Sequence, residues 1–153
     1  MEIARIAALI AVLGTGVVYG TDVFCAMVLR PALASVDDAT LVRVSGRVHR
    51  YGDRRMPVPG VLGVVATAVC VPAAVLSAQW AQAAAAGVAL LALLVWLALY
   101  TRVSAPINRQ LTAAADTGLP NGRALQQKWD SVIAVRAALQ GLAVIGLGLV
   151  LAL

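Results

Sequence analysis

Four long apolar runs dominate this chain and leave it few folds to adopt. The first extends from Ile6 to Leu29 and is interrupted only by Asp22. The second runs from Pro57 to about Ala78, and the third from Ala83 to Val103. The last covers Val132 to Leu153, with Arg136 and Gln140 as its strongly polar members. Each approaches the ~20 residues that a helix needs to cross the hydrocarbon of a bilayer. The runs are continuous and rich in Ala, Leu and Gly instead of alternating, which argues against barrel strands. The expectation is an all-α integral membrane four-helix bundle with helical cytoplasmic extensions, forming a single transmembrane domain over 1–153. Its helices should lie near 4–30, 57–79, 83–104 and 122–153. The first run, preceded by Arg5, has the outline of a signal peptide. Its length, Asp22 and the lack of a small-residue cleavage site before Arg30 predict a retained helix instead.

Composition supports the membrane class. Charged residues make up 12% of the chain and the mean hydropathy is +0.90, whereas a soluble domain carries about 25% charged residues. Disorder, a coiled coil and a disulfide scaffold are excluded. The two cysteines, Cys25 and Cys70, both fall inside apolar runs, where a thiol serves as a small packing group. The net charge of +5 invites a nucleic-acid partner, but the distribution of the charge argues against one. Arg30, Arg43, Arg47, Arg50, Arg54 and Arg55 follow the first run, and Arg102, Arg109, Arg123 and Lys128 follow the third. The link from Ser77 to Gln82 is uncharged, and Arg5 alone opposes the bias. The positive-inside rule then places both long connections in the cytoplasm, with both termini and the short link outside.

Neither long connection reads as an idle loop. Asp37 and Asp38 are helix-start signals, and after them Leu41, Val44, Val48 and Tyr51 recur at helical spacing. Arg43, Arg47, Arg50 and Arg54 fall on the other face, so an amphipathic helix is expected over about 37–52. It suits either an anionic membrane surface or a lid over an anion-binding pocket. In the second connection Pro106 predicts a kink or a restart, and Thr117 to Gly122 is a dense turn signal. From Asn121 as a cap the pattern is helical to the C-terminus. Glycines in the first and last runs, such as Gly14 and Gly146, permit close helix approach.

Three polar residues in this setting need a reason. A carboxylate inside a spanning helix costs several kcal/mol and normally faces the bundle interior with a partner. Asp22 shares a face with Thr15 and Tyr19, and Arg136, at about the same depth in the fourth helix, is its natural counter-charge. Trp129, Arg136 and Gln140 form one stripe that leads from the cytosol into the bundle. The alternatives are a purely structural ion pair for Asp22 and a snorkelling side chain for Arg136. His49, the only histidine, sits between Arg47 and Arg50. It reads as surface decoration or, in a pocket, as a neutral base. No metal-ligand spacing, phosphate loop or nucleophile elbow is present, and a bound metal is left open.

Several short segments carry a family likeness. They are the Gly-rich first helix running into Arg30-Pro31, the segment Arg54-Arg55-Met56-Pro57, the segment Ala105-Pro106-Ile107-Asn108-Arg109, and the pair Trp129 and Arg136. In these the chain resembles the small four-helix membrane family called DUF1772, or anthrone oxygenase. The resemblance implies oxidation of an aromatic polyketide in secondary metabolism, with dioxygen as co-substrate and no cofactor. A base would make an electron-rich carbanion, and a positive group would hold the enolate. Carried onto this chain, the resemblance implies that Trp129, Tyr19 and Tyr100 wall the slot. Asp22 or His49 acts as base, Arg136 and Asn108 steady the oxyanion, and Gln140 extends the substrate site. Many members of the family carry a His between the Trp and the Arg. Here Ile133 occupies that position, which leaves His49 as the available imidazole.

Two other classes compete with an enzyme. One is a non-catalytic membrane partner that assembles another protein through its basic helices. The other is a small proton-coupled multidrug-type transporter using Asp22, although such proteins have tighter connections. The expected partners are the lipid bilayer and an aromatic small molecule, with a homo-oligomer left open.

Overall fold

The computed structural model describes residues 2–153, and within them the chain is all helix. Helix α1 (Glu2–Phe24) continues through a π-helical turn (Cys25–Leu29) into the short α2 (Arg30–Ala34). Helix α3 (Asp38–Arg55) follows, then α4 (Pro57–Leu76) and α5 (Trp80–Leu99). A second π-helical turn (Tyr100–Ser104) joins α5 to α6 (Ala105–Ala114), and α7 (Gly122–Ala152) completes the chain. Four continuous rods, 2–34, 57–76, 80–114 and 122–152, are long and apolar enough to cross a membrane.

The rods form a closed ring in which α1 packs on α4 and α7, and α5 packs on α4 and α7. Their inner and outer faces invert the pattern of a soluble bundle. Inside are small residues such as Ala4, Ala8, Ala11, Ala86, Ala89 and Ala143, all fully buried. Outside are large aliphatics, among them Ile6, Leu13, Val58, Leu91 and Ile145. In water so much exposed apolar surface would drive aggregation. In lipid, small inner residues let helices approach closely, and packing supplies the association energy. The tightest seam joins α1 to α4, where a Cβ on Gly14 would stand 2.6 Å from the Pro59 carbonyl oxygen.

Two of the rods run past their expected ends, and for one physical reason. Pro31 and Pro106 lack the N–H of an α-helical ladder, and their rings clash with the carbonyl four residues earlier. The chain does not break at either proline. It widens by one residue just before, so that the Arg30 N–H donates to the Cys25 carbonyl and the Ala105 N–H to the Tyr100 carbonyl. The expected restart at Pro106 is therefore a π-helical turn within a single rod.

The amphipathic helix forms with Asp37 as its N-cap, whose carboxylate accepts from the Thr40 N–H at 2.9 Å. Its orientation differs from the expected one. Leu41, Val42, Ser45, Gly46 and His49 are buried, whereas Val44, Val48 and Tyr51 remain exposed. The helix has packed against α6 through its small residues. At Gly46 even a methyl group would collide with the Leu111 carbonyl. Arg47 and Arg50 pair with Asp116 just beyond α6, and Gly118 takes the left-handed φ of +81° in the expected turn.

Candidate functional site

Asp22 and Arg136 meet in the core of the ring. Arg136 Nη2 donates to Asp22 Oδ1 at 2.8 Å, and both side chains are buried. Two more donors complete the carboxylate: Gln140 Nε2 at 2.8 Å and Trp96 Nε1 at 3.3 Å, both to Oδ2. Arg136 in turn gives Nη1 to Ser104 Oγ at 2.7 Å. Its guanidinium lies 5.4 Å from the Trp129 ring and 5.6 Å from the Tyr100 ring, within range of cation–π attraction. The π-helical turn before Pro106 brings Tyr100 and Ser104 to this cation together. Asp22 is thus a counter-ion whose two oxygens accept from three donors.

Beside this pair lies an apolar cavity of about 300 Å³. Val18, Asp22 and Cys25 of α1 line it together with Gly60, Val61 and Val64 of α4. Trp96, Tyr100, Asn108, Trp129 and Arg136 close its inner wall, and His49, Gly52 and Asp53 of α3 form its floor. The exposed lining side chains are Val48, Pro57, Val61, Val65 and Leu97, all apolar, with Thr21, Asp53 and Tyr100 half-buried among them. The mouth therefore lies along the seam of α4 and α5, above the edge of α3.

His49 is buried, and this overturns the reading of it as surface decoration. Its ring centroid sits 5.2 Å from that of Trp129. Burial pulls the imidazole down from 6.5 to about 4 against the opposing pull of the Asp53 carboxylate, so it is neutral at pH 7. Gln126 stands near the imidazole and donates Nε2 to Asp130 Oδ1 at 3.0 Å.

Five of the expected residues converge here with Gln140 behind them, and two need correction. Tyr19 does not wall the cavity. It is exposed at the edge of the buried face of α1, and its ring lies over Gly141 of α7, where an added Cβ would come within 3.3 Å. Asn108 is in place, but its amide nitrogen donates to Asp53 Oδ1 at 2.8 Å, and its carbonyl oxygen is left unpartnered. It therefore presents an acceptor to the cavity, the wrong polarity for an oxyanion.

Sequence reasoning missed Asp53, Trp96, Ser104 and Gln126. Asp53 accepts from Tyr100 Oη at 2.9 Å as well as from Asn108, and so ties α3 to the third rod. Among the described residues no three of His, Cys, Asp and Glu gather as a metal-binding group. Against known proteins the chain matches no family model, no curated protein and no solved structure.

Proposed function

We propose that this chain is a membrane-embedded oxygenase acting on an aromatic, anthrone-like small molecule in secondary metabolism, with dioxygen as co-substrate. Both termini would lie outside and the α3 and α6 end would lie in the cytoplasm. The observation that carries the reading is an apolar cavity with aromatic walls that holds a neutral imidazole and a buried guanidinium side by side. Trp96, Trp129 and Tyr100 offer flat surfaces to a flat substrate. With Asp22 already accepting from three donors, His49 is the base.

The chemistry balances without a further reductant. Loss of one proton to His49 Nε2 gives the enolate, whose oxygen is steadied by Arg136 and Trp129. The electron-rich carbon adds dioxygen, and His49 returns its proton to the distal oxygen to give a hydroperoxide. Removal of the second C–H proton from that carbon forms the C=O bond, breaks the O–O bond and expels hydroxide, which takes that proton as water. The net change is CH₂ plus O₂ to C=O plus H₂O. A weakly basic imidazole suffices because the neighbouring cation stabilises the anion in a low-dielectric site.

The test is oxygen uptake and quinone formation by the detergent-purified protein with anthrone. Turnover above the buffer rate, reduced about 10² to 10⁴-fold by His49→Gln, is expected. A wild-type rate equal to that of buffer would refute the proposal. In the transporter reading Asp22 would have to exchange its Arg136 partner for a proton.

A further inference from the structure

Four buried polar atoms of the cavity lining have no hydrogen-bond partner: His49 Nε2, Trp129 Nε1, Arg136 Nε and, on α6, Asn108 Oδ1. All four side chains are more than nine-tenths buried, and the first three cluster, with the Trp129 ring 5.2 Å from the His49 ring and 5.4 Å from the Arg136 guanidinium. A buried polar group left unmet carries the full cost of its desolvation. Three unmet groups at the polar end of a single cavity therefore point to a ligand that meets them. Trp129 Nε1 and Arg136 Nε can only donate.

The character of His49 Nε2 follows from its neighbours. The Asp130 carboxylate accepts from Gln126 Nε2, which turns the amide nitrogen of Gln126 towards Asp130. The carbonyl oxygen of Gln126 has no partner, and Gln126 stands near the imidazole. An N–H at Nδ1 would be available to that oxygen and would leave the lone pair on Nε2. Gln126 and Asp130 would then be positioning residues for this tautomer.

One acceptor beside two donors is the complement of a hydroxyl group, which gives one hydrogen and accepts at its oxygen. A carbonyl would leave His49 unmet, and an ammonium would leave both donors unmet and face a guanidinium. The fully exposed side chains of the lining are all apolar, and the mouth opens between two rods whose outer faces are aliphatic. We propose that the cavity binds a neutral, bilayer-dissolved compound by a single hydroxyl, which donates to His49 Nε2 and accepts from Trp129 Nε1 and Arg136 Nε after entry between α4 and α5. This rests on the cavity being the substrate site. It adds that the substrate binds as its hydroxyl tautomer and loses its first proton from oxygen.

The single histidine makes the test direct. In protein carrying ¹⁵N-histidine in lipid nanodiscs, Nε2 should resonate as a lone-pair nitrogen and Nδ1 as an N–H. Addition of 1-naphthol should shift Nε2 and the Trp129 indole N–H. Its methyl ether, 1-methoxynaphthalene, should leave Nε2 unmoved and bind at least tenfold more weakly. Val61→Trp, at an exposed mouth position, should keep the free spectrum and abolish the naphthol response, whereas Leu62→Trp, outside the cavity lining, should preserve both. A proton on Nε2, equal responses to naphthol and ether, or an unaltered response in Val61→Trp would overturn the proposal. Naphthol has no CH₂ to oxidise, so its binding is read separately from turnover. Binding with inert anthrone would sink the oxygenase and leave this site standing, and turnover without a naphthol response would do the reverse.

Discussion

Removing one member of the Asp22–Arg136 pair should cost far more than removing both. Asp22 is 3% exposed and Arg136 is 5% exposed, so neither side chain can reach water without opening the bundle. Arg136→Met keeps the apolar stem and strips the charge, which leaves the carboxylate with only Gln140 and Trp96. Asp22→Asn leaves a buried guanidinium with Ser104 and two aromatic faces. Each single change should destabilise by about 3–5 kcal/mol, the cost of stranding a buried charge. The double variant strands none. Neutral replacements of buried pairs are often tolerated, and the double variant should lie within about 2 kcal/mol of wild type by the same reasoning. The coupling energy is then roughly 4 kcal/mol or more, well above the ~0.6 kcal/mol average of hydrogen bonds between membrane helices. Equilibrium unfolding in mixed micelles with increasing SDS, read by tryptophan fluorescence, gives all four corners of the cycle. Single changes costing under about 1 kcal/mol, or a double variant equal to their sum, would refute the claim that these charges face each other in a dry interior.

Two further outcomes follow from the same structure. Because the imidazole stays neutral to about pH 4 while the unfolded chain takes its proton near 6.5, His49 should make stability fall as pH drops through that window. The loss is up to about 3 kcal/mol, and His49→Phe should remove that part of the slope in unfolding midpoints measured from pH 7 to 4. A Cβ at position 63 would stand 2.6 Å from Thr15 Oγ1, so Gly63→Val should cost about 1–3 kcal/mol. Gly16→Val, which meets nothing within 4 Å, should be near neutral by the same SDS titration.

The bundle and the charge pair were legible because each rests on a strong, local rule. Apolar length marks the rods, and a carboxylate in hydrocarbon demands a counter-charge, which only Arg136 offered at the right depth. The floor of the cavity was not legible. On its sequence face α3 reads as apolar at Val44, Val48 and Tyr51, yet it turned Ser45, Gly46 and His49 inward because small residues let it settle onto α6. That rotation carried His49 into the interior and Asp53 to the cavity wall, away from the arginines that surround them in the chain. The signal that could have found it is the run of small residues on one side of an otherwise bulky helix. Tyr19 failed for a related reason. Spacing of four and three residues puts it near Asp22 in angle, but the buried stripe is narrow and Tyr19 lies just past its edge. Ser104 was hidden because a regular helix would not have aligned it with Arg136.

The widened turns align more than one serine. Each widened turn holds one surplus residue, and everything after it is rotated by roughly 100° relative to a regular helix. Deleting Val103, for instance, would give a more ideal ladder and a poorer protein. The hydrogen bonding would regularise while Asn108 and its neighbours swung to another side of the rod. Where a natural sequence keeps such a stitch, alignment of the inner-end side chains is encoded in residue count, and shortening the chain by one should be more damaging there than most exchanges of one side chain for another.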